Sequence, residues 1–469
     1  MKFKTKPFKH QLEIFERQKD CEHFAYLWDR GLGKSKEILD TVAHLYCEGK
    51  IKNFVVIGPK SAYGDWKRKH VPEHLSDDVG AYIVYEWIGD TRTKDRKALE
   101  AFVSKSPKVF KIFAINTEAF QYPKIMNYIN QFITSGDTLI CLDESHLAKN
   151  TQAKRTKALK KVFAKCQYRR IATGTLMERV EDIYSQFDLL KSGLLGYTRF
   201  TAFKARYCEM KRMKFGSRPA FDMVTGYKHL DELQDKIKQH ASILDKTDVF
   251  DLPPKVYYTL EVELTKEQKK YYDEMEKSFT TYINGQEVET NTVLTMALKL
   301  HQITCGVLHT DDGYEIIPGP NPKMEAMKEI LDEGQKTLIF CNSSSNPAIE
   351  NIYNTIKDKY SSELFYGKTS FEERERIKKA MQESDLQCIV ANKTMAEGVT
   401  LTKAKNTIYF SNSYEIIKRD QSEDRNHRYG VQHQVNIIDI VAKGTIDEKI
   451  VAALRSKKSL ADSLLGVNK

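Results

Sequence analysis

At 469 residues the chain is longer than one hydrophobic core usually supports, so two core domains with inserted or flanking helices are expected. Hydrophobic residues make up 41% and charged residues 29%, enough apolar side chain for packed cores and an argument against extensive disorder. Lys plus Arg, at 74, exceed Asp plus Glu, at 64, which favours a polyanionic partner without requiring one.

The eight cysteines are scattered singly, with no CxxC pair, so zinc is not expected. Several, such as Cys141 and Cys341, sit inside apolar runs where a free thiol behaves as a small buried hydrophobe, which points to a reducing compartment. Met1 is followed by Lys-rich sequence without a long apolar run, and no stretch approaches the roughly 20 apolar residues that span a bilayer. Neither export nor membrane contact is expected; a cytoplasmic location is, in the host if the chain is phage-encoded.

In chain order, an apolar run at residues 24–27 leads into Trp28-Asp29-Arg30-Gly31-Leu32-Gly33-Lys34-Ser35, and a helical pattern follows over 36–46. A Gly-rich turn between strand and helix aims backbone N–H groups and the positive helix end at phosphates. Lys34 is then expected to reach the β- and γ-phosphates and the Ser35 hydroxyl to bind Mg²⁺. Residue 28 is Trp, so only the GxGK[ST] core of the longer phosphate-loop pattern is present, and a surface turn with an incidental Gly-Lys-Ser is the alternative.

Strands are predicted next at 54–57, 110–115 and 138–142, the last ending in Asp143-Glu144-Ser145-His146. A carboxylate at the tip of a neighbouring parallel strand is placed to hold Mg²⁺, and an adjacent Glu to orient an attacking water. Asp143 takes the first role and Glu144 the second; an acidic helix N-cap is the other reading. A strand at 169–172 completes the first half. From about 181 to 323 the sequence turns helical and charged, with helical spacing over 265–279 and 292–302, and Leu252-Pro253-Pro254-Lys255 reads as a joint because neither Pro can continue a helix. Strands are predicted again at 337–340, 387–390, 406–410 and 435–440. This alternation predicts an α/β fold with two parallel sheets flanked by helices.

The order Gly31-Leu32-Gly33-Lys34-Ser35, Asp143-Glu144-Ser145-His146, Thr173-Gly174-Thr175 resembles superfamily 2 helicases and translocases, specifically the Swi/Snf branch. Val56-Ile57-Gly58-Pro59-Lys60 with Trp66 resembles that family's motif Ia, Ile115-Asn116-Thr117 its motif Ib, residues 337–342 its motif IV and 395–402 its motif V. The string Gln421-Ser422-Glu423-Asp424-Arg425-Asn426-His427-Arg428 resembles motif VI. The endings of motifs V and VI, residues 441–445 and the stretch from Arg206 to Arg212 look like the SMARCAL-type annealing helicases. With ten residues before Gln11 and about twenty after residue 450, the chain resembles a minimal, phage-type motor without accessory domains.

The resemblance implies two RecA-like lobes, at 1–190 and 323–469, with helical insertions and a linker at 191–322. It implies ATP and Mg²⁺, with Gln11 reading adenine and Gly31, Leu32, Gly33, Lys34, Ser35 and Gly398 lining the nucleotide. Gln421, Arg425 and Arg428 join Lys34, Asp143 and Glu144 in catalysis; the arginines, three apart, would share a helix face toward the γ-phosphate held by the opposite lobe. His146, Thr173, Gly174 and Thr175 would couple hydrolysis to motion. Largely sequence-independent DNA contacts fall to Lys60, Asn116, Thr117, Asn342, Ser343, Gly367, Thr369, Lys393 and Thr400, with the basic segment Lys211-Arg212-Met213-Lys214 and Arg218 a further candidate. The partner is then duplex, forked or branched DNA, moved along by a monomer. A strand-separating DNA or RNA helicase and a nucleotide-gated binding protein are the alternatives. The sequence departs from the family's pattern at Ser145, at Leu176-Met177-Glu178-Arg179 after motif III, and at Glu397, where an apolar residue is usual.

Overall fold

Apolar runs of five or six residues bounded by polar turns form the centre of a parallel sheet in each half of the chain. The computed structural model describes all residues except 61, 90–92, 105–108, 176, 215–220, 279, 284–285, 290–292, 311–312, 342–345, 393–394, 396–399 and 466–469. The described chain divides into two units, Met1–Phe250 with Leu460–Lys469, and Asp251–Ser459.

In the first unit the strands are β1 (His23–Trp28), β2 (Asn53–Gly58), β3 (Tyr82–Glu86), β4 (Phe110–Asn116), β5 (Thr138–Asp143), β6 (Tyr168–Thr173), β7 (Cys208–Met213), β8 (Phe221–Tyr227) and β9 (Ala241–Leu244). Seven of them form one sheet in the order β3-β4-β2-β5-β6-β1-β9, every neighbouring pair parallel. Parallel strands are apolar on both faces because crossover helices cover both. Here alternate residues enter two separate cores: Val55, Ile57, Ile140 and Leu142 pack on one side with Ile129 and Phe132, and Phe54, Val56, Leu139 and Cys141 on the other with Ile38, Leu39 and Val42. The helix Lys34–Cys47 thus lies on one face and Pro123–Thr134 on the other. β7 and β8 stand apart as an antiparallel pair.

In the second unit the strands are β10 (Lys255–Val262), β11 (Thr280–Ile283), β12 (Gln286–Glu289), β13 (Val307–Thr310), β14 (Gly313–Ile316), β15 (Thr337–Cys341), β16 (Ser362–Phe365), β17 (Cys388–Ala391), β18 (Asn406–Ser411) and β19 (Val435–Ala442). The sheet order is β10-β19-β18-β15-β17-β16, again all parallel. The same alternation sends Ile339 and Val390 to one core and Leu338 and Ile389 to the other. β11 with β12 and β13 with β14 are short hairpins.

Residues 191–322 do not form a third unit. β9 extends the first sheet beside β1, and β10 edges the second beside β19 over all eight of its residues, so the division falls at 250/251, next to the Pro253-Pro254 joint. The expected helices appear as Lys266–Ser278 and Val293–Thr304, but among the described residues the stretch also carries eight strands, β7 to β14. Among the described residues no helix is long and apolar enough to cross a membrane.

Candidate functional site

β5, β6 and β1 are consecutive in the first sheet, so the segments leaving their C-terminal ends emerge side by side, where ligands of open α/β sheets bind. Register brings Leu27 opposite Thr173 and Asp143 opposite Ala172. After β1 the turn needs left-handed backbone at Gly31 (φ 86°) and at Gly33 (φ 80°), the N-cap of the helix Lys34–Cys47. A Cβ on Gly33 would sit 2.2 Å from Gln11 Nε2, so a side chain there would also displace the Gln11 amide from the turn. Lys34 Nζ donates to the carbonyls of Trp28 (2.7 Å) and Asp29 (3.1 Å), which folds its stem back along the turn. Ser35 follows in the first turn of the helix. Gln11 is buried, its amide donating to the Gly33 carbonyl (3.2 Å) and its Oε1 accepting from the Phe8 N–H (2.9 Å), so it ties the N-terminal helix to the turn.

Asp143 ends β5, and Glu144 turns the chain in the left-handed region at φ 55°, ψ 57°. A non-glycine residue there stores about 1–3 kcal/mol, which the surroundings must hold in place. They do so through the side chain: Glu144 Oε1 meets Arg30 Nη2 at 3.3 Å, and Oε2 lies 3.3 Å from both His146 Nδ1 and Thr173 Oγ1. His146 Nδ1 and Thr173 Oγ1 are themselves 3.1 Å apart, and the Thr175 N–H donates to Thr173 Oγ1 (3.2 Å). The groups expected to couple hydrolysis to motion are therefore gathered on Glu144. Gly174 belongs to the same arrangement, since a Cβ there would press on Arg30 Cγ at 3.2 Å.

The two adjacent carboxyls are driven apart electrostatically. Burial and the neighbouring Glu144 charge push Asp143 up to about 6, against the pull of Lys34. Burial pushes Glu144 in the same direction, but Arg30, His146 and Lys34 together outweigh it and hold that carboxyl well below its ordinary range. Burial lowers the Lys34 ammonium, partly offset by Glu144. Arg30 was not among the residues singled out in the sequence; its only signal there is its place inside the Gly-rich turn, outside the GxGK[ST] core.

Two departures from the family pattern are accommodated. The Ser145 hydroxyl is buried and donates to Gln186 Oε1 at 2.7 Å, and Glu178 accepts from Lys149 Nζ at 2.6 Å. Asp182 caps the backbone N–H groups of Glu178 and Arg179, each at 3.0 Å. Leu176 and Glu397 lie outside the described residues.

In the second unit Gln421 lies on the helix Ile416–Glu423. That helix ends before either arginine, so Arg425 and Arg428 do not share a helix face as their spacing suggested; they sit in the turns that follow. Arg425 is 2% exposed and donates Nε to the Gln421 carbonyl (2.7 Å). Arg428 is partly exposed, donating Nε to the Asp424 carbonyl (2.8 Å) and Nη1 to Thr400 Oγ1 (2.9 Å). Gln421 is buried with Oε1 lacking a hydrogen-bond partner. The segment is anchored by a buried ionic network that the sequence reading did not foresee: Arg419 pairs with Asp439 (2.5 Å) and Glu423 (2.7 Å), stacks 3.4 Å above the Tyr409 ring, and Lys255 Nζ reaches Glu423 at 3.2 Å.

Of the expected DNA contacts, Lys60 and Thr400 are exposed, and Gly367 has open space around it. Asn116 caps a short turn by accepting from the Ala119 N–H (2.8 Å). Thr117 and Thr369 are buried, their hydroxyls donating to Gly58 O (2.8 Å) and Leu364 O (3.3 Å), so both side chains are used within the fold rather than offered to a phosphate. Asn342, Ser343, Lys393, Gly398 and Arg218 lie outside the described residues.

YwqA of Bacillus subtilis (strain 168), named for an ATP-dependent helicase/translocase, is 24% identical over 455 residues, covering 93% of this chain and 46% of that one. The DNA annealing helicase and endonuclease ZRANB3 of Homo sapiens is 27% identical over 346 residues, 71% of this chain and 30% of that one. The chain spans less than half the length of these relatives. The solved Sulfolobus solfataricus SWI2/SNF2 ATPase core in complex with dsDNA overlays with a TM-score of 0.43 at 24% identity, covering 99% of this chain and 94% of that one. The helicase conserved C-terminal domain matches residues 322–430. With the SNF2-related domain matched over residues 27–307, more than half its length, the chain belongs to the SNF2-related family of helicases and translocases.

Proposed function

We propose that the chain is a nucleic-acid-stimulated ATPase that moves along DNA and remodels branched DNA. The observation that carries the reading is Glu144, strained into a left-handed turn and held by Arg30, His146 and Thr173 beside the Lys34 turn. Strain maintained by side-chain contacts at the mouth of a sheet marks a working position.

The residues fit a nucleotide with its metal. Gly33 and the helix behind it present N–H groups and positive dipole to an anion, and Lys34 is a partly buried cation bonded to two backbone carbonyls. Among the described residues no group of three or more His, Cys, Asp or Glu side chains could hold a metal ion by itself. Mg²⁺ does not need one, since it keeps waters and phosphate oxygens as most of its ligands, and Ser35 with Asp143 supply the protein's share. Bound ATP supplies the phosphoryl bond whose hydrolysis drives motion, and Mg²⁺ neutralises charge on its phosphates.

Lys34 then exchanges its carbonyl partners for phosphate oxygens. Glu144, ionised at neutral pH, orients a water and accepts its proton. His146 and Thr173 report the state of Glu144 to the segment after β6. In the second unit Arg428, partly exposed and fixed at Nε, is a cation open to an anion. The name of the ZRANB3 relative, a DNA annealing helicase, supports branched DNA as substrate.

The test measures ATP hydrolysis with linear duplex, single strands, forks, four-way junctions and RNA, alongside branch migration of a labelled junction. Stimulation by DNA, greatest with forks or junctions and accompanied by branch migration, is expected. No stimulation by any DNA would overturn the reading, and preference for RNA would move it to the strand-separating alternative.

A further inference from the structure

β7 and β8 pair only with each other, a two-stranded antiparallel ribbon outside both large sheets. Its root is built into the first unit. Tyr207 and Cys208 are buried, the Lys228 N–H donates to the Tyr207 carbonyl (3.0 Å), and the Tyr227 hydroxyl donates to Glu181 Oε2 (3.1 Å). Beyond the root the side chains leave the core: Met210 is 40% exposed, Met223 39% and Phe221 47%, with Lys211, Arg212 and Lys214 exposed beside them.

Register sorts these residues. Lys211 opposes Met223 and Met213 opposes Phe221, two pairs that share one face of the ribbon; Met210 opposite Val224 and Arg212 opposite Asp222 share the other. One face is therefore apolar with a cation at its base. A lone two-stranded ribbon is marginal in water, and apolar surface rimmed by charge marks a contact with something else. Charge says what: between Arg206 and Lys228 the sequence carries six Lys or Arg against two Asp or Glu, complementary to a phosphate backbone. The backbone of an intact duplex offers phosphates but little to Met213, Phe221 and Met223. Bases unstacked where strands part offer flat faces that aromatic and thioether side chains cover.

We propose that the β7–β8 ribbon is a junction-engaging element: Lys211, Arg212 and Lys214 hold phosphates at a DNA branch point while Met213, Phe221 and Met223 pack on the base pair or unpaired bases there. The proposal rests on the DNA-motor reading and adds the surface that would tell a branch from a linear duplex.

Two surface variants separate the contributions, Lys211→Ser/Arg212→Ser/Lys214→Ser and Phe221→Ser/Met223→Ser. Binding of full-length protein to a fluorescein-labelled fork and to a linear duplex of equal length is measured across a salt series, with duplex-stimulated ATP hydrolysis as the control for folding. Each variant is expected to bind the fork about tenfold more weakly; the Phe221→Ser/Met223→Ser variant keeps duplex affinity and duplex-stimulated hydrolysis within about twofold, and the triple variant loses less on the duplex than on the fork. The triple variant alone should lower the slope of log affinity against log salt on the fork, by about 2–3 for three lost phosphate contacts. Parent-like fork binding by both variants, with normal stimulation of the parent by duplex, would overturn the ribbon's role and leave the motor reading standing. Equal losses on fork and duplex would overturn the junction preference. A parent that no DNA stimulates would bring down the motor reading first, and the ribbon's role with it.

Discussion

Glu37 in the first unit and Glu423 in the second are both buried helical carboxyls, 0% and 2% exposed, yet they stand at opposite ends of the acid scale. Glu37 accepts one bond, from Gln18 Nε2 at 3.1 Å, and its Oε2 has no partner. Of the cations near it, Lys36 is bonded to Asp40 and Arg170 acts only through its charge, so burial and the Asp40 charge push Glu37 up to about 8. Burial pushes Glu423 up as well, but Lys255, Lys458 and Arg419 converge on it, and with the Tyr257 hydroxyl at 2.9 Å they drive it far below its ordinary range. Removal from water is the same for both; the number of cations in reach decides which remains charged. Glu144 belongs with Glu423, kept ionised by Arg30 and His146 against burial. Glu423 keeps its charge beside the arginine segment and Glu144 beside the phosphate turn, whereas Glu37, on the helix behind that turn, gives its charge up.

The largest test of that division replaces the charge and keeps the shape. Glu144→Gln can still accept from Thr173 but cannot act as a base, and Lys34→Ala removes the phosphate cation. Each is expected to lower ATP turnover at saturating DNA by about 10²–10⁴-fold with the thermal unfolding profile unchanged. Turnover of Glu144→Gln within tenfold of the parent would remove Glu144 from that role. Next in size, Arg419→Leu strips one cation from Glu423 and Asp439 together and leaves both buried. Breaking such a pair costs about 3–5 kcal/mol. Amide hydrogen exchange should speed up in peptides spanning β18 and β19 while those spanning β5 and β6 stay as in the parent. Equal protection of β18 and β19 in the two proteins would mean Lys255 and Lys458 suffice.

How much of this was legible in the sequence follows from which forces act locally. The central strands of both sheets were readable, because a buried parallel strand reads as a continuous apolar run and β2, β5, β15 and β18 each carry one. Edge strands were not: β3 and β10 are half exposed, mixing tyrosines and charged residues with their apolar ones, and the β7–β8 ribbon hides inside a basic stretch. Lys34, Asp143 and Glu144 could be named because their chemistry is set by position in a short motif. Arg30 could not, since its value comes from Glu144, 114 residues away. The shared helix face for Arg425 and Arg428 failed because spacing says nothing of where a helix stops, and this one stops at Glu423. Nor does spacing show that the Thr117 and Thr369 hydroxyls are bonded within the fold.

The smallest effect expected is the one that isolates Glu37. Its folded-state value, about 8, stands above the ordinary 4.5, so the stability it contributes is full below about 4.5 and is lost as pH rises through about 8. Gln cannot ionise, and Glu37→Gln preserves a carbonyl for Gln18 Nε2. The variant should therefore match the parent near pH 5, gain on it through pH 7, and exceed it by about 1–3 kcal/mol at pH 9. All three tryptophans, Trp28, Trp66 and Trp87, lie in the first unit, so urea unfolding followed by tryptophan fluorescence reads the unit that holds Glu37. A difference that grows with pH shows a carboxyl giving up its proton against burial. A difference flat from pH 5 to 9 would mean that Lys36 is shared between Asp40 and Glu37, which would place Glu37 in the same class as Glu423.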